Sequence, residues 1–416
     1  VGTTFIGSTA HPAKSAMAVL AGAIEEQPSL GSVQVRLARN DVELDSELSA
    51  ALGRGDRTLV GFSFYSPSFP DAVAQLQKLR ARHRGWAAIA GGVHATAEPD
   101  AVLGAGFDLV CIGEGERALL GLLARARDGV PLEGAAGFAW RGGRGPKPPL
   151  VSLDEYPPFA PKTGLFGAIE ITRGCVYACR FCQTPFMSKA RFRHRSVENV
   201  RRWVRVMRES GRRDARFISP TSLSYGSTDT SVNLCAVEAL LAACREELGP
   251  KRRLFFGTFP SEVRPEHVTP EALRVLRRYV DNDNLIIGGQ SGSDAVLRES
   301  RRGHDVEAIV RAARVCVENH FVPNVDFILG LPGEGPEELL ATVALMNQLA
   351  ELGAKVHGHT FMPLPGTPFR AAAPGDVTPA VRTELDRLAS QGRLYGHWRA
   401  QIETARALAE RRTTRQ

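Results

Sequence analysis

The sequence predicts an α/β chain of two parallel-sheet bodies, an open doubly wound sheet followed by a partial (β/α)6 barrel, with a helical tail. Three observations predict this. Short apolar runs alternate with helical patterns from the first residues onward. The composition breaks over residues 141–165, which are rich in proline and glycine. A second series of six strand candidates follows that break, with helical segments between them. With 416 residues and 43% hydrophobic content, the chain can bury more than one core.

In the first series, "TTFIG" (3–7), "VQVRLA" (33–38), "TLVGFSF" (58–64), "WAAIAGG" (86–92) and "DLVCIGEG" (108–115) read as strands. Between them, "PAKSAMAVLAGAIEE" and "PDAVAQLQKLRARH" carry apolar residues at helical spacing. Residues 1–140 are therefore expected to form a flavodoxin- or Rossmann-like domain. Such sheets bind ligands beyond the carboxyl ends of their strands, where "GST", "SFYS", "GGVH" and "GEGE" fall. No G-x-G-x-x-G follows the first strand, which argues against a dinucleotide.

Residues 141–165 read as a linker. The second series comprises "AIEITR" (168–173), "ARFIS" (215–219), "LFFGTF" (254–259), "NLIIGG" (284–289), "NVDFILG" (324–330) and "KVHGHTF" (355–361). It predicts a partial barrel over 166–372, with chemistry on the loops that follow the strands. Within it Val197, Val200, Val204 and Met207 share one helix face. The remainder, 373–416, reads as a helical C-terminal region.

No run of about 18 uncharged apolar residues is present, so no membrane span is expected. The N-terminus lacks a secretory pattern, so the expected compartment is the cytoplasm, where cysteines serve as thiols or metal ligands. The net charge of +7 is carried almost wholly by arginine and reflects composition; nucleic-acid binding is not expected. The arginine-rich stretch 190–217 reads as the solvated face of the barrel's first helix, with an anionic-substrate site as the alternative.

Three cysteines, Cys175, Cys179 and Cys182, follow the first strand of the second series as C-x3-C-x2-C. A structural zinc site wants four ligands, usually in two pairs, and here only the unpaired His194 lies near. Three thiolates on a tight loop suit a [4Fe–4S] cluster with one iron left open. Cys235, Cys244 and Cys316 read as core residues.

The cysteine spacing, with Phe181 before the third cysteine, resembles the radical S-adenosylmethionine (SAM) superfamily. The resemblance implies that the open iron chelates SAM and that reductive cleavage gives a 5′-deoxyadenosyl radical. An external flavodoxin- or ferredoxin-like reductant would supply the electron. Further stretches resemble the family's strand motifs in order. "IIGGQSGSDAVLRESRRGHD" implies SAM-binding roles for Gln290, Ser291, Ser293 and Arg302. "VDFILGLPGEGPEE" implies Gly330, Pro332, Gly333 and Glu334, "FPSEVRPEHVTPEAL" implies Ser261 and Glu262, and "FMPLPGTPF" resembles the sixth-strand end. "FISPTSLSYG" lacks the family's acidic pair and leaves Ser219, Thr221 and Ser222 as weaker candidates.

The first domain resembles the cobalamin-binding subclass of that superfamily, chiefly through "AGGVHATAEPDAVLGAGFDLVCIGEGERAL" (90–119). The resemblance implies that Gly91, Gly92, His94, Gly113, Glu114 and Gly115 lie near the corrin. Ser8, Thr9, His11, Ser63, Phe64 and Tyr65 join them on the neighbouring loops. Free cobalamin domains carry Asp-x-His-x-x-Gly after strand one, whereas Thr9-Ala10-His11-Pro12-Ala13-Lys14 keeps only the histidine. Without the orienting Asp, His11 is expected not to ligate cobalt, giving His-off methylcobalamin or hydroxocobalamin.

Methylthiotransferases carry three extra N-terminal cysteines, and this N-terminal half has only Cys111. The resemblance implies methylation of an unactivated carbon or phosphorus of a small molecule through methylcobalamin. A radical cyclase or rearrangement enzyme without methyl transfer, and a cobalamin-binding sensor with a vestigial barrel, are the alternatives.

Overall fold

Strand β1 (Thr3–Ser8) is buried at every residue because it lies inside a sheet covered on both faces. It is flanked by β2 (Val33–Ala38) and β3 (Arg57–Ser63). The sheet continues through β4 (Trp86–Gly91), β5 (Leu109–Cys111) and the hairpin of β6 (Phe138–Trp140) and β7 (Gly143–Arg144). Its order is β2-β1-β3-β4-β5-β6-β7, with the first five strands parallel and the last two antiparallel. Successive side chains part to opposite faces. Ile6 and Val60 enter one core with Leu44 and Leu76, while Phe5 and Leu59 enter the other with Met17 and Leu122. The strand order reverses between β1 and β3, so their carboxyl ends form a switch point.

The computed structural model describes residues 2–10 and 13–413, and the chain divides into two compact units after Ala168. Residues 141–165, read from sequence as a linker, therefore belong to the first unit. Beyond β7 the prolines keep the segment out of the sheet, and its backbone N–H groups find side-chain acceptors. Val151 N donates to Glu114 Oε2 at 2.8 Å, and Lys162 N and Thr163 N donate to the Glu25 carboxylate at 2.9 and 2.7 Å. In helix Lys14–Glu25, Gly22 admits the strap closely: a Cβ there would sit 2.3 Å from the Phe159 carbonyl oxygen.

The second unit is built of short strands β8 (Ile169–Glu170), β9 (Thr172–Arg173), β10 (Arg193–His194), β11 (Asp214–Ala215), β12 (Phe217–Ile218) and β13 (Arg253–Leu254). Longer ones follow: β14 (Asn284–Gln290), β15 (Val322–Leu329) and β16 (Lys355–Thr360), then the two-residue β17 (Leu394–Tyr395). Parallel pairings follow chain order: β8 with β12, β11 with β13, Val263 with Ile287 of β14, and then β14-β15-β16-β17. That is the run of an incomplete barrel. The tail differs from the all-helical expectation, because β17 joins the sheet between helices Pro379–Ser390 and Trp398–Thr413.

Helix Val197–Glu209 buries Val200, Trp203, Val204 and Met207. Its arginines Arg201, Arg205 and Arg208 meet Glu247 at 3.4, 3.0 and 2.8 Å, the ion-paired outer face the arginine-rich stretch suggested. Among the described residues, no helix is long and apolar enough to cross a membrane.

Candidate functional site

The cysteine loop begins where β9 ends. Gly174 takes φ +88°, and a Cβ there would lie 2.0 Å from the Arg191 carbonyl oxygen, so only glycine allows this turn. Cys182 N donates to Cys179 O at 3.1 Å, curling the loop back so that all three cysteines line one cavity of about 330 Å³. None of them is in a disulfide. Burial pushes the Cys175 thiol up to about 12 and also raises Cys182. A bound metal cation favours the thiolate form of such thiols, which suits iron. His194, the candidate fourth zinc ligand, is engaged on both ring nitrogens, Nδ1 with Thr172 Oγ1 at 3.0 Å and Nε2 with Ser227 O at 2.7 Å.

Opposite the loop, Arg302 is buried, with Nη1 3.5 Å from Cys179 Sγ and Nη2 donating to Gly288 O at 2.6 Å. Gly288 lies close under three side-chain ends. A Cβ there would meet Gln290 Nε2 at 2.7 Å, Arg302 Nη2 at 2.9 Å and Glu262 Oε2 at 3.2 Å. Burial raises the Glu262 carboxyl above its usual range, while Arg302 pulls it down. Arg264 stacks 3.6 Å from the Tyr177 ring centroid and pairs with Glu266 at 2.5 Å. Two buried atoms of cavity residues, Arg302 Nε and Thr221 Oγ1, have no partner among the described residues. Three clustered thiols, a buried guanidinium and orphaned polar atoms fit a cluster carrying a polar ligand.

Of the residues expected to bind SAM, Phe181, Thr221, Glu262, Gln290 and Arg302 line this cavity with the cysteines. Others form its frame. Ser261 Oγ donates to Phe217 O at 2.6 Å and accepts from Ser219 N at 3.0 Å, so both serines are spent on joining strand ends. Ser222 is fully buried, its N donating to Glu262 O at 2.8 Å. Glu334 accepts from Gly330 N at 2.6 Å, Thr342 Oγ1 at 2.9 Å and Ser291 Oγ at 3.2 Å, closing the loop that contains Pro332 and Gly333. Ser293 caps helix Asp294–Glu299 through Val296 N. These residues are absent from the cavity lining, so the structure separates five wall residues from nine framing ones.

Sequence reading missed Tyr177, Arg264, Asp326, His359 and Gln401, which also line the cavity. Strand alternation carries a signal for Asp326 and His359. None exists for Gln401, which arrives from the C-terminal helix.

In the first unit, the residues expected near the corrin gather at the carboxyl ends of β1, β3, β4 and β5. Gly92 takes φ +93°, and a Cβ there would lie 2.9 Å from Phe64 O. Gly113 takes φ +90° with open space where a Cβ would be, and Tyr65 is 56% exposed. This is an open edge of small residues that suits a large planar ligand. Gly91 ends β4, Gly115 starts helix Gly115–Arg127, and Ser8 and Ser63 end their strands. Thr96, in the same stretch as Gly91, Gly92 and His94, joins the two glycine loops by donating to Gly92 O at 2.9 Å and accepting from Gly113 N at 3.0 Å.

Several of the expected residues face inward. His94 is buried, its Nδ1 2.9 Å from Ser66 Oγ and its ring 4.5 Å from that of Phe69. Phe64 is buried beside Phe69 and Phe107. Thr9 Oγ1 donates to Ala38 O at 2.9 Å, and Glu114 holds Val151. His11 lies outside the described residues.

Comparison with known proteins agrees with both units. A family model described as the radical SAM superfamily matches residues 169–346, and a B12 binding domain model matches residues 6–123. The tRNA-2-methylthio-N(6)-dimethylallyladenosine synthase of Halorhodospira halophila is 28% identical over 291 residues, 69% of this chain and 56% of that one. Its Pelobacter propionicus counterpart is 28% identical over 244 residues, 58% and 51%. The chain spans about half the length of the curated relatives it matches.

Among solved structures, the radical SAM methyltransferase TsrM from Kitasatospora setae, with cobalamin and a [4Fe–4S] cluster bound, is similar in fold. It has a TM-score of 0.70 and 17% identity, over 90% of this chain and 75% of that one. The cobalamin-dependent SAM radical enzyme OxsB, with aqua-cobalamin bound, has a TM-score of 0.65 and 15% identity, over 83% and 52%. The chain thus combines a B12-binding domain over residues 6–123 with a domain of the radical SAM superfamily over residues 169–346.

Proposed function

We propose that this chain is a cobalamin-dependent radical SAM methyltransferase acting on an unactivated carbon, or a phosphorus, of a small molecule. One observation carries the reading. A single chain joins a B12-binding domain to a cavity where three thiols meet Arg302 and Glu262. When bound, the cluster and SAM supply a 5′-deoxyadenosyl radical, and cobalamin supplies a transferable methyl group.

The chain's own residues then have defined tasks. Cys175, Cys179 and Cys182 hold the cluster, and the Arg302 guanidinium offsets negative charge at Cys179. Gln290, Glu262 and Phe181 bound the SAM side of the cavity. Ile328, Phe361 and Leu364 give it apolar wall that excludes water. The methylthio chemistry named for the 28%-identical relatives is disfavoured, because the first unit holds one cysteine, Cys111, buried at the end of β5.

The test needs no substrate. Anaerobically reconstituted, cobalamin-loaded protein is reduced and supplied with methyl-labelled SAM. Labelled methylcobalamin together with 5′-deoxyadenosine is expected. Deoxyadenosine without any label on cobalamin would overturn methyl transfer in favour of cyclisation or rearrangement, and absence of cluster absorbance would favour a sensor. Cys179→Ala should lose the cluster and deoxyadenosine formation while retaining cobalamin, and loss of cobalamin as well would refute that division of labour.

A further inference from the structure

The lumen wall made by β15 and β16 carries polar side chains that the cysteine loop does not use. Asp326 lies opposite His357 in register, and His359 follows two residues on, so all three share a face by the strand's period of two. His357 is clamped. Its Nδ1 lies 3.1 Å from Asp326 Oδ1, and its ring stacks on Tyr395 at 4.5 Å and 9°. Gly396 leaves room for it, since a Cβ there would lie 3.0 Å from His357 Nε2. The His357 Nδ1–H therefore donates to one oxygen of Asp326.

The neighbouring tautomer follows from the tail helix. Gln401 Oε1 accepts from Thr360 N at 2.8 Å, and only the amide oxygen can do so. Its amide nitrogen then faces His359 Nδ1 at 3.4 Å. An NH2 group offers protons, so Nδ1 presents its lone pair and the ring proton sits on Nε2. Burial, with His357 beside it, holds His359 below the ordinary histidine value, in keeping with a single ring proton. Two atoms remain without a partner among the described residues, the second oxygen of Asp326 and His359 Nε2–H. Both residues line the cavity that holds the three cysteines.

We propose that Asp326 and His359 form a two-point substrate anchor, an acceptor beside a donor, for a group with the complementary pair: a carboxamide, a lactam or a nucleobase edge. The proposal rests on the reading above in taking this cavity as the place where substrate is activated. The same three side chains bring possible metal-ligating atoms within 4.8 Å of one another. The hydrogen-bond pattern disfavours a cation, because His357 turns a proton toward Asp326 and the His359 lone pair faces Gln401.

The experiment is ligand-observed NMR on cluster-reconstituted, SAM-bound protein, with 2-pyridone as the probe and N-methyl-2-pyridone as its blocked counterpart. Binding of 2-pyridone is expected, about tenfold weaker after N-methylation, the scale of one hydrogen bond to a charged group. Asp326→Ala and His359→Phe should each weaken 2-pyridone by a similar factor, while His359→Gln, which keeps a donor, restores most of it. Cluster absorbance and circular dichroism report whether each variant is folded. Equal binding of the two probes, absence of 2-pyridone binding, or no effect in folded variants would overturn the anchor. Stoichiometric Zn²⁺ uptake lost in both variants would overturn it in favour of a cation site. Fragment binding requires no radical chemistry and the labelled-methyl test requires no anchor, so the two readings fail separately.

Discussion

Arg302 shows how a single residue's chemistry follows from its burial. A guanidinium enclosed in protein persists only where anionic groups surround it, and here these are Cys179 and Glu262. A positive charge 3.5 Å from a cluster ligand favours the more negative, reduced cluster. Arg302→Gln should therefore shift the cluster's midpoint to more negative potential by about 60 mV, a tenfold change for one electron, and Arg302→Lys by less. An EPR-monitored redox titration measures it, and an unchanged potential would mean that the guanidinium does not sense the cluster. At this scale the sequence disclosed residues whose role is tied to a local motif, such as the cysteines, Glu262 and Arg302. It could not disclose Gln401, whose backbone-fixed amide meets β16 only through the fold. Nor could it separate wall from frame: Ser261 and Glu262 are adjacent, yet one binds strand ends and the other lines the cavity.

At the scale of elements, the turn after β14 is held by a glycine that the sequence offered only as part of a motif. Gly292 lies against helix Pro336–Glu351, where a Cβ would sit 2.5 Å from Thr342 Cα and 2.6 Å from Ala341 O. Those are backbone atoms and cannot swing aside. Gly292→Ala should push the turn and helix apart, weaken the Ser291–Thr342–Glu334 bonds and cost about 1–3 kcal/mol. Thermal unfolding measures this, and a variant as stable as the wild type would show that the helix relaxes freely. The principal strands were legible because apolar runs of five or more residues carry their own period. The β6–β7 hairpin and β17 were not, because two or three residues hold no period. Gly142 at φ +96° did mark the hairpin turn, inside a stretch whose composition read as linker.

At the scale of the whole molecule, strand–helix alternation and the order of the motifs were enough to place two α/β bodies in one chain. The boundary at Ala168 was obscured because a proline-rich strap is pinned by side chains far away in sequence. The second body also carries an acid sensitivity that composition does not reveal. Burial lowers His194, His267 and His304 below the ordinary value of 6.5, and each has hydrogen-bonding partners that fix its ring. Below about pH 6.5 an unfolded chain takes up protons at these positions that the folded chain refuses. The unfolded state then binds more protons, so stability falls as pH falls through that value, by up to about 1.4 kcal/mol per pH unit for each histidine. Glu266 adds a second, lower window. Burial alone would raise it, but His304 and Arg264 hold it well below the usual carboxylate range, so its stabilisation is lost as pH falls beneath about 4.5. Urea midpoints at pH 7.5, 6.5 and 5.5 should decline across the upper window. His194→Gln, which retains hydrogen-bonding capacity without a titratable ring, should flatten the decline by about one proton. Midpoints that stay level between pH 7.5 and 5.5 would mean that these rings take up protons in the folded protein as readily as in the unfolded one.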